Sequence, residues 1–299
     1  MTTSPEPHRL LAALRDAADL RGATPLHLVV HAETDQVGAL EQLLGEVGGR
    51  VTVVGGPAAD LSDLRSVVLE HGADVGAVVT RDRLEVVDDQ GGTVPASTVL
   101  TIVGLRLAAA EIAAGRVPLV VHDDLTSHAV PDLLQAAGAA TVRVPTRELD
   151  ERTAGDGAVL GGSADGRVLL RDAVPGTAAL TALVHVLAEL GRQPHALSVL
   201  AELYQPYATA GPIDVPAADP DAAVARVVEA YVTTPGGGPV EADDRDGLLV
   251  SHWEAPPPWW FAVRRTDHGV RLTVEAADED VLDKVRDDVL SLLATGEDR

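Results

Sequence analysis

Cysteine is absent from the sequence, which excludes disulfides, thiolate metal sites and thiol nucleophiles at the outset. Aromatic residues make up only 2%, and lysine occurs once, at Lys284, so positive charge rests almost wholly on arginine. Against 23 Lys and Arg stand 46 Asp and Glu, a net charge of −23, and a polyphosphate strand would meet repulsion. Nucleic acid is therefore not an expected partner, and the acidity reads most simply as a solvated surface. No apolar run approaches the ~18–20 residues of a membrane helix, and the N-terminal MTTSPEPHRLLAALRDAADLRG lacks a basic start followed by an apolar stretch. A soluble, cytoplasmic protein without membrane association is expected. A P-loop, a G-x-G-x-x-G turn, an H-E-x-x-H helix and a G-x-S-x-G elbow are all missing, which removes the commonest nucleotide, zinc-protease and serine-hydrolase readings.

What is present is a repeat. LVVHAETDQVGALEQLLGEVGGRVTVV from Leu28 and LVVHDDLTSHAVPDLLQAAGAATVRV from Leu119 share an apolar strand ending in His, a polar loop, an amphipathic helix, a Gly stop and a further strand. His31 matches His122, Leu43-Leu44 matches Leu133-Leu134, and Gly48 matches Gly138, where a residue tolerating a left-handed backbone ends the helix. Each unit then runs into a strand, loop and strand: GAVV, TRD and RLEVV in the first, GAVL, GGSADG and RVLLR in the second. With 46% hydrophobic residues, the chain has material for real cores. The pattern predicts an N-terminal helix or linker over 1–24, then two homologous α/β domains of three layers, 25–115 and 116–207, with helices at 98–113 and 177–190. The repeated histidines sit in separate domains and read as loop caps rather than as one metal site.

The Pro-bearing segment YQPYATAGPIDVP breaks the pattern, and a small α+β domain follows over 211–299. It reads as a helix in DPDAAVARVVEAYV capped by its Asp, a loop at TTPGGGP, strands in GLLVSHW, WWFAVRR and GVRLTVEA, and a closing helix EDVLDKVRDDVLSLL. Trp253, Trp259 and Trp260 fall on strands and are expected in the sheet core or a covering patch rather than as a sugar-stacking platform.

Three segments together resemble the α-D-phosphohexomutases, the family of phosphomannomutase and phosphoglucomutase. HGADVG with RLEVVDDQGG is similar to that family's second-domain metal segment, GAVLGGSADGRVLLRD to its third-domain sugar loop, and WWFAVRRTDHGVRLTVEA to its fourth-domain phosphate loop. The order and spacing agree from about residue 25 onward. The resemblance implies the fold of the second, third and fourth domains, and each loop departs from the family pattern. Where the family reads D-G-D-x-D-R for magnesium, Thr80-Arg81-Asp82-Arg83 keeps one carboxylate in register, Asp82, followed by Arg83. A hard cation there would face two guanidinium groups, so no metal or other cofactor is expected, and Asp82 is expected to pair with a neighbouring arginine. Where the family reads G-E-x-S-G-H, the chain has Gly162-Ser163-Ala164-Asp165-Gly166-Arg167. Ser163, Asp165 and Arg167 remain candidates for gripping a sugar, against the plainer reading of a Gly-rich turn. Where the family reads R-P-S-N-T-E-P, Arg264-Arg265-Thr266-Asp267-His268-Gly269 is shorter by two residues, yet Arg264, Arg265, Thr266 and His268 offer two guanidiniums, a hydroxyl and an imidazole to a phosphate.

The family's first domain carries a T-x-S-H-N-P loop with the phosphorylated serine. Roughly two dozen residues precede the first strand here, without room for such a domain, and TSHAVP at Thr126–Pro131 imitates the loop only superficially, since its place in the repeat makes it a helix start. No catalytic residue is therefore assigned. The expected protein is a degenerate, non-catalytic relative that binds a partner protein or a sugar phosphate in carbohydrate and nucleotide-sugar metabolism. The alternatives are a scaffold without ligand, or a mutase subunit of phosphomannomutase or phosphoglucomutase type using a phosphoserine domain supplied in trans. The N-terminal helix, with Leu10, Leu11, Leu14 and Leu20 on its apolar side, is expected to cover the 25–115 domain, a role that a second copy of the chain or an intact phosphohexomutase would otherwise fill.

Overall fold

The computed structural model describes residues 7–55, 61–233 and 240–294. The chain folds as two compact units, Met1–Gln205 and Pro206–Arg299. The glycine-rich part of the TTPGGGP loop lies outside the described residues.

The first unit begins with α1 (Pro7–Ala17), then runs through β1 (His27–His31), α2 (Thr34–Gly45), β2 (Arg50–Val53), α3 (Leu61–His71), β3 (Val75–Val79), β4 (Leu84–Asp88), β5 (Thr93–Val94) and α4 (Ala96–Ala113). The second copy of the repeat supplies β6 (Leu119–Asp123), α5 (Ala129–Ala136), β7 (Ala140–Val144), α6 (Leu149–Gly155), β8 (Leu160–Gly162), β9 (Val168–Leu170), α7 (Ala178–Leu190) and α8 (Leu197–Leu203). The repeat seen in the sequence is a repeat of topology. One sheet has the order β2-β1-β3-β4-β5 and the other β7-β6-β8-β9. In each, the first three strands of that order are parallel and the next pairs antiparallel.

Strand alternation divides the burial. On β1, Leu28 and Val30 face a large core, while Val29 faces a smaller cluster with Leu64 and Val68 of α3. On β6, Val120 joins the same large core, and Val121 a small cluster with Leu149 of α6. A single apolar core thus runs between the two sheets. Helix α4 lies inside it, against α5 and α7 as well as β4 and β8, so the helix that closes the first repeat is packed by the second as well.

That position explains one departure from expectation. Among the described residues α4 is long and apolar enough to cross a membrane by length and composition, and half of it is buried inside the protein. Its charged residues are paired there, Arg106 with Glu189, and Glu111 with Arg116 and Arg171. A helix apolar nearly all round is what a site between two layers requires.

Helix α1 packs on α2 and α7. Leu10, Leu11 and Leu14 are buried, as is Leu20 beyond the helix end, so the apolar side of this segment is covered within its own unit.

The second unit contains β10 (Ala208–Pro216), α9 (Pro220–Val228), β11 (Glu241–Asp243), β12 (Leu248–Ser251), β13 (Trp259–Thr266), β14 (Gly269–Ala276) and α10 (Glu279–Ala294). Its antiparallel sheet has the order β10-β14-β13-β12-β11. The segment read as a break is therefore an edge strand. β10 carries a register shift between Ala210 and Ile213, at Gly211-Pro212, and an edge position with an irregularity is where a sheet tolerates proline. Asp219 caps α9 by accepting from the Ala222 amide. Phe261, Val263, Leu272 and Val274 form the core with Leu282 and Val289 of α10. Trp259 and Trp260 are buried, and Trp253 meets Tyr207 edge to face at 4.8 Å.

Candidate functional site

The loop from β3 to β4 closes on itself. The Thr80 amide donates to the Arg83 carbonyl at 3.0 Å, and the Arg83 amide donates to Thr80 Oγ1 at 3.2 Å. This presents Asp82 toward the loop between β8 and β9, and the two loops join. The Leu84 amide donates to the Gly166 carbonyl at 2.9 Å, the Val168 amide donates to the Asp82 carbonyl at 2.7 Å, and Arg83 and Arg167 form an antiparallel bridge. Gly166 makes the approach feasible. Its φ is +85°, and a Cβ there would come within 2.9 Å of the Leu84 carbonyl oxygen.

Side chains complete the seam. Arg167 Nε donates to Asp82 at 3.1 Å and its Nη2 to Asp150 at 2.7 Å. Arg83 Nη1 reaches the Asp165 carboxylate at 2.6 Å and its carbonyl at 3.0 Å. Asp165 also accepts from the buried Ser163 hydroxyl at 2.5 Å. Burial opposes ionisation of Asp165, but the Ser163 hydroxyl and the Arg83 guanidinium outweigh it and hold the carboxyl below its ordinary value. Beneath the loop, Asp123 at the end of β6 is 2% exposed and accepts from Thr126, Thr146 and the Ala164 amide.

The sequence candidates Asp82, Arg83, Ser163, Asp165 and Arg167 are thus one cluster, bonded chiefly to one another. Asp82 does pair with an arginine, but with Arg167, 85 residues away in sequence, and not with Arg81 or Arg83 beside it. Asp123 and Asp150 were not anticipated. A carboxylate ending a parallel strand was the available signal for Asp123, and nothing local marks Asp150.

The fourth-loop candidates fall on the β13–β14 hairpin. Thr266 pairs directly with Gly269, leaving Asp267 and His268 as a two-residue turn. At Gly269 φ is +153°, and a Cβ would lie 2.2 Å from the Val215 carbonyl oxygen, so only glycine lets β10 pass this close. Arg264 donates to Asp246 at 3.1 Å and Arg265 to Asp221 at 2.6 Å. His268 is exposed at the tip.

The remaining candidates are structural. Ser127 precedes α5, accepts from the Ala129 amide at its hydroxyl and donates its own amide to Ser97 Oγ. His31 faces the Val54 carbonyl, and His122 faces the Asp123 carbonyl with its pKa pushed down to about 3 by burial. Among the described residues no group of three or more His, Asp and Glu side chains is placed to hold a metal ion.

No protein-family model matches the sequence. A phosphoglucosamine mutase of Nocardioides sp. is 32% identical over 178 residues, 56% of this chain and 39% of that protein. One of Leifsonia xyli is 29% identical over 199 residues, 61% of this chain and 43% of that protein. The fold extends the likeness. A phosphoglucomutase/phosphomannomutase family protein of Burkholderia thailandensis superposes with a TM-score of 0.75 over 97% of this chain and 65% of that one, at 18% identity. In sequence the chain is similar to phosphoglucosamine mutases over somewhat more than half its length, and its fold is that of the phosphohexomutases. Aspergillus fumigatus N-acetylphosphoglucosamine mutase, solved with GlcNAc-6P and magnesium, shares that fold at a TM-score of 0.63 and 14% identity, over 96% of this chain and 69% of that one. The matched stretches are less than half the length of the curated relatives.

Magnesium chemistry is what the phosphohexomutase fold leads one to look for, and the residues present do not suit it. Asp82 is the one carboxylate of its loop, Arg81 and Arg83 flank it, and Arg167 already occupies it. A hard divalent cation takes six or so oxygen ligands and is opposed by adjacent guanidinium charge.

Proposed function

We propose that this phosphohexomutase relative is non-catalytic and acts by binding a sugar phosphate in carbohydrate metabolism. The seam between the two loops carries the reading. Phosphoryl transfer rests on positioning and on charge stabilisation by groups that face the substrate. Asp82, Arg83, Asp165 and Arg167 instead satisfy one another, so bringing any of them to a substrate breaks an ion pair and loosens two backbone hydrogen bonds.

The β13–β14 tip is the part of this set best able to exchange partners. Arg265 and Asp221 are about half and four-fifths exposed, a surface pair of the kind worth about 0–1 kcal/mol. A phosphate offers Arg265 a stronger charge-assisted fork, and the exposed His268 lies at the tip of the same hairpin. Titration of the purified chain with hexose 1-phosphates and 6-phosphates tests the reading. Saturable binding that Arg265→Ala weakens about tenfold is expected. Absence of saturable binding at millimolar ligand refutes the sugar-phosphate ligand, and capture of a protein instead supports the partner-binding form of the same reading.

A further inference from the structure

We infer that the groove between α6 and the loop from β9 to α7 is a binding site for a small, uncharged molecule with a branched aliphatic body. Its volume of about 540 Å³ lies within the range of small-molecule sites. The internal repeat shows what the groove lacks. Gly161 of β8 lies against Thr153 of α6 as Gly76 of β3 lies against Val68 of α3, and each helix is followed by a glycine of positive φ, Gly157 at +66° and Gly72 at +54°. These pairs are all 85 positions apart, so Ala154 stands where α3 has Leu69. Leu69 lies across Gly91 in the β4–β5 turn, with a methyl carbon 3.1 Å from where a Cβ at Gly91 would be. Gly161 pairs with Leu169 as Gly76 pairs with Val87, which makes Ala173 the counterpart of Gly91. Ala154 and Ala173 both line the groove. A leucine that covers the turn in the first repeat is thus a single methyl group in the second, over a shorter helix, and the surface it would cover is left open.

That surface is apolar. Leu169 and Leu170 are half-buried there, whereas their counterparts in the first repeat, Val87 and Asp88, are buried. The charges of the lining select the ligand's polarity. Asp150 accepts from Arg167 at 2.7 Å, and Arg171 gives the same terminal nitrogen to Glu111 at 2.9 Å and to Asp172 at 3.1 Å. The Thr153 hydroxyl donates to the Leu149 carbonyl at 2.6 Å. Both charged side chains of the groove are answered within the protein, so charge complementarity asks for a neutral occupant. Its methyl and methylene groups gain by leaving water for Leu169, Leu170 and the two alanines. The leucine replaced by Ala154 gives the shape, branched aliphatic carbons that reach from α6 to the loop.

Calorimetry of the full chain with geraniol, a neutral branched aliphatic alcohol, tests the site, together with NMR of the Leu169 and Val174 methyl groups. Saturable binding and shifts of those signals are expected, with sodium geranate and geranylammonium chloride binding no more tightly than the alcohol. Ala154→Leu restores the residue of the first repeat. It is expected to weaken geraniol binding at least about tenfold while raising the thermal midpoint, because the leucine covers the surface the ligand would cover. Ala173→Leu fills the groove from the opposite wall and is expected to cause the same loss of binding. No saturable binding of geraniol by the folded chain overturns the proposal, as does binding that both leucine variants leave unaltered or a marked preference for either charged analogue.

Discussion

Arg167 has two carboxylate partners, Asp82 from one repeat and Asp150 from its own, and its backbone bridges to Arg83. Each ion pair is partly exposed and weak alone; their worth comes from sharing one planar fork. Arg167→Ala is expected to lower the stability of the first unit by about 1 kcal/mol, and Arg167→Lys to recover less than half of that, because an ammonium cannot serve two carboxylates in the same plane. Urea unfolding of the three proteins measures this. The acid side of the pH profile is also set by single residues. His185 is neutral when folded, its pKa depressed from 6.5 to about 4 by burial and by Arg106. A depressed folded pKa contributes stability above the unfolded value, and this is lost as pH falls from about 6.5 toward 4. The loss from His185 amounts to about 3 kcal/mol, and Asp165, held below its ordinary value, adds to it in the same direction at lower pH. Equilibrium unfolding between pH 7 and pH 4 should show this decline, to which buried His122 contributes in the same direction, and His185→Leu should make it shallower without abolishing it. A slope unchanged by that substitution contradicts the assignment. At this scale the sequence showed which residue types had been lost from each loop, but not their partners. Asp82 meets Arg167 across 85 positions, and no local pattern encodes such a distance.

Among the elements, α1 illustrates what periodicity makes legible. Leu10, Leu11 and Leu14 lie on one side of a helix, and that side is buried against α2 and α7. Leu14→Asp, at a position 1% exposed, is expected to cost about 3 kcal/mol or more, since it places a carboxylate in an apolar contact without a partner. A lowered urea midpoint is the check. Element α4 and strand β10 mark the limits of pattern reading. The periodic signal is weak in α4 because both of its faces are packed, and β10 was obscured by Gly211 and Pro212, which in an edge strand mark an irregularity and not an end. The β13–β14 hairpin was legible as two strands joined by a loop two residues shorter than the family pattern, and its two-residue turn came from the structure. Its need for Gly269 came only from the passage of β10. Gly269→Ala should destabilise the second unit by about 2 kcal/mol, read as a lower thermal midpoint for that unit.

On the scale of the whole molecule, the duplication was the most legible feature, because two sheets of the same topology need the same order of strands, helices and glycine stops. The common core between those sheets was not legible, since apolar residues do not state which sheet they face. The same closeness brings the β3–β4 and β8–β9 loops into contact, and there the phosphohexomutase pattern is replaced by pairs that hold the loops to each other. The account therefore turns on whether this seam is structure or a resting state of working machinery. The direct measurement is hexose-phosphate mutase turnover by the purified chain, freed of contaminating mutase and supplied with magnesium and a bisphosphate primer, beside Asp82→Ala. The account predicts no turnover from either protein above the background without enzyme. Robust turnover by the wild-type chain that Asp82→Ala abolishes would contradict it.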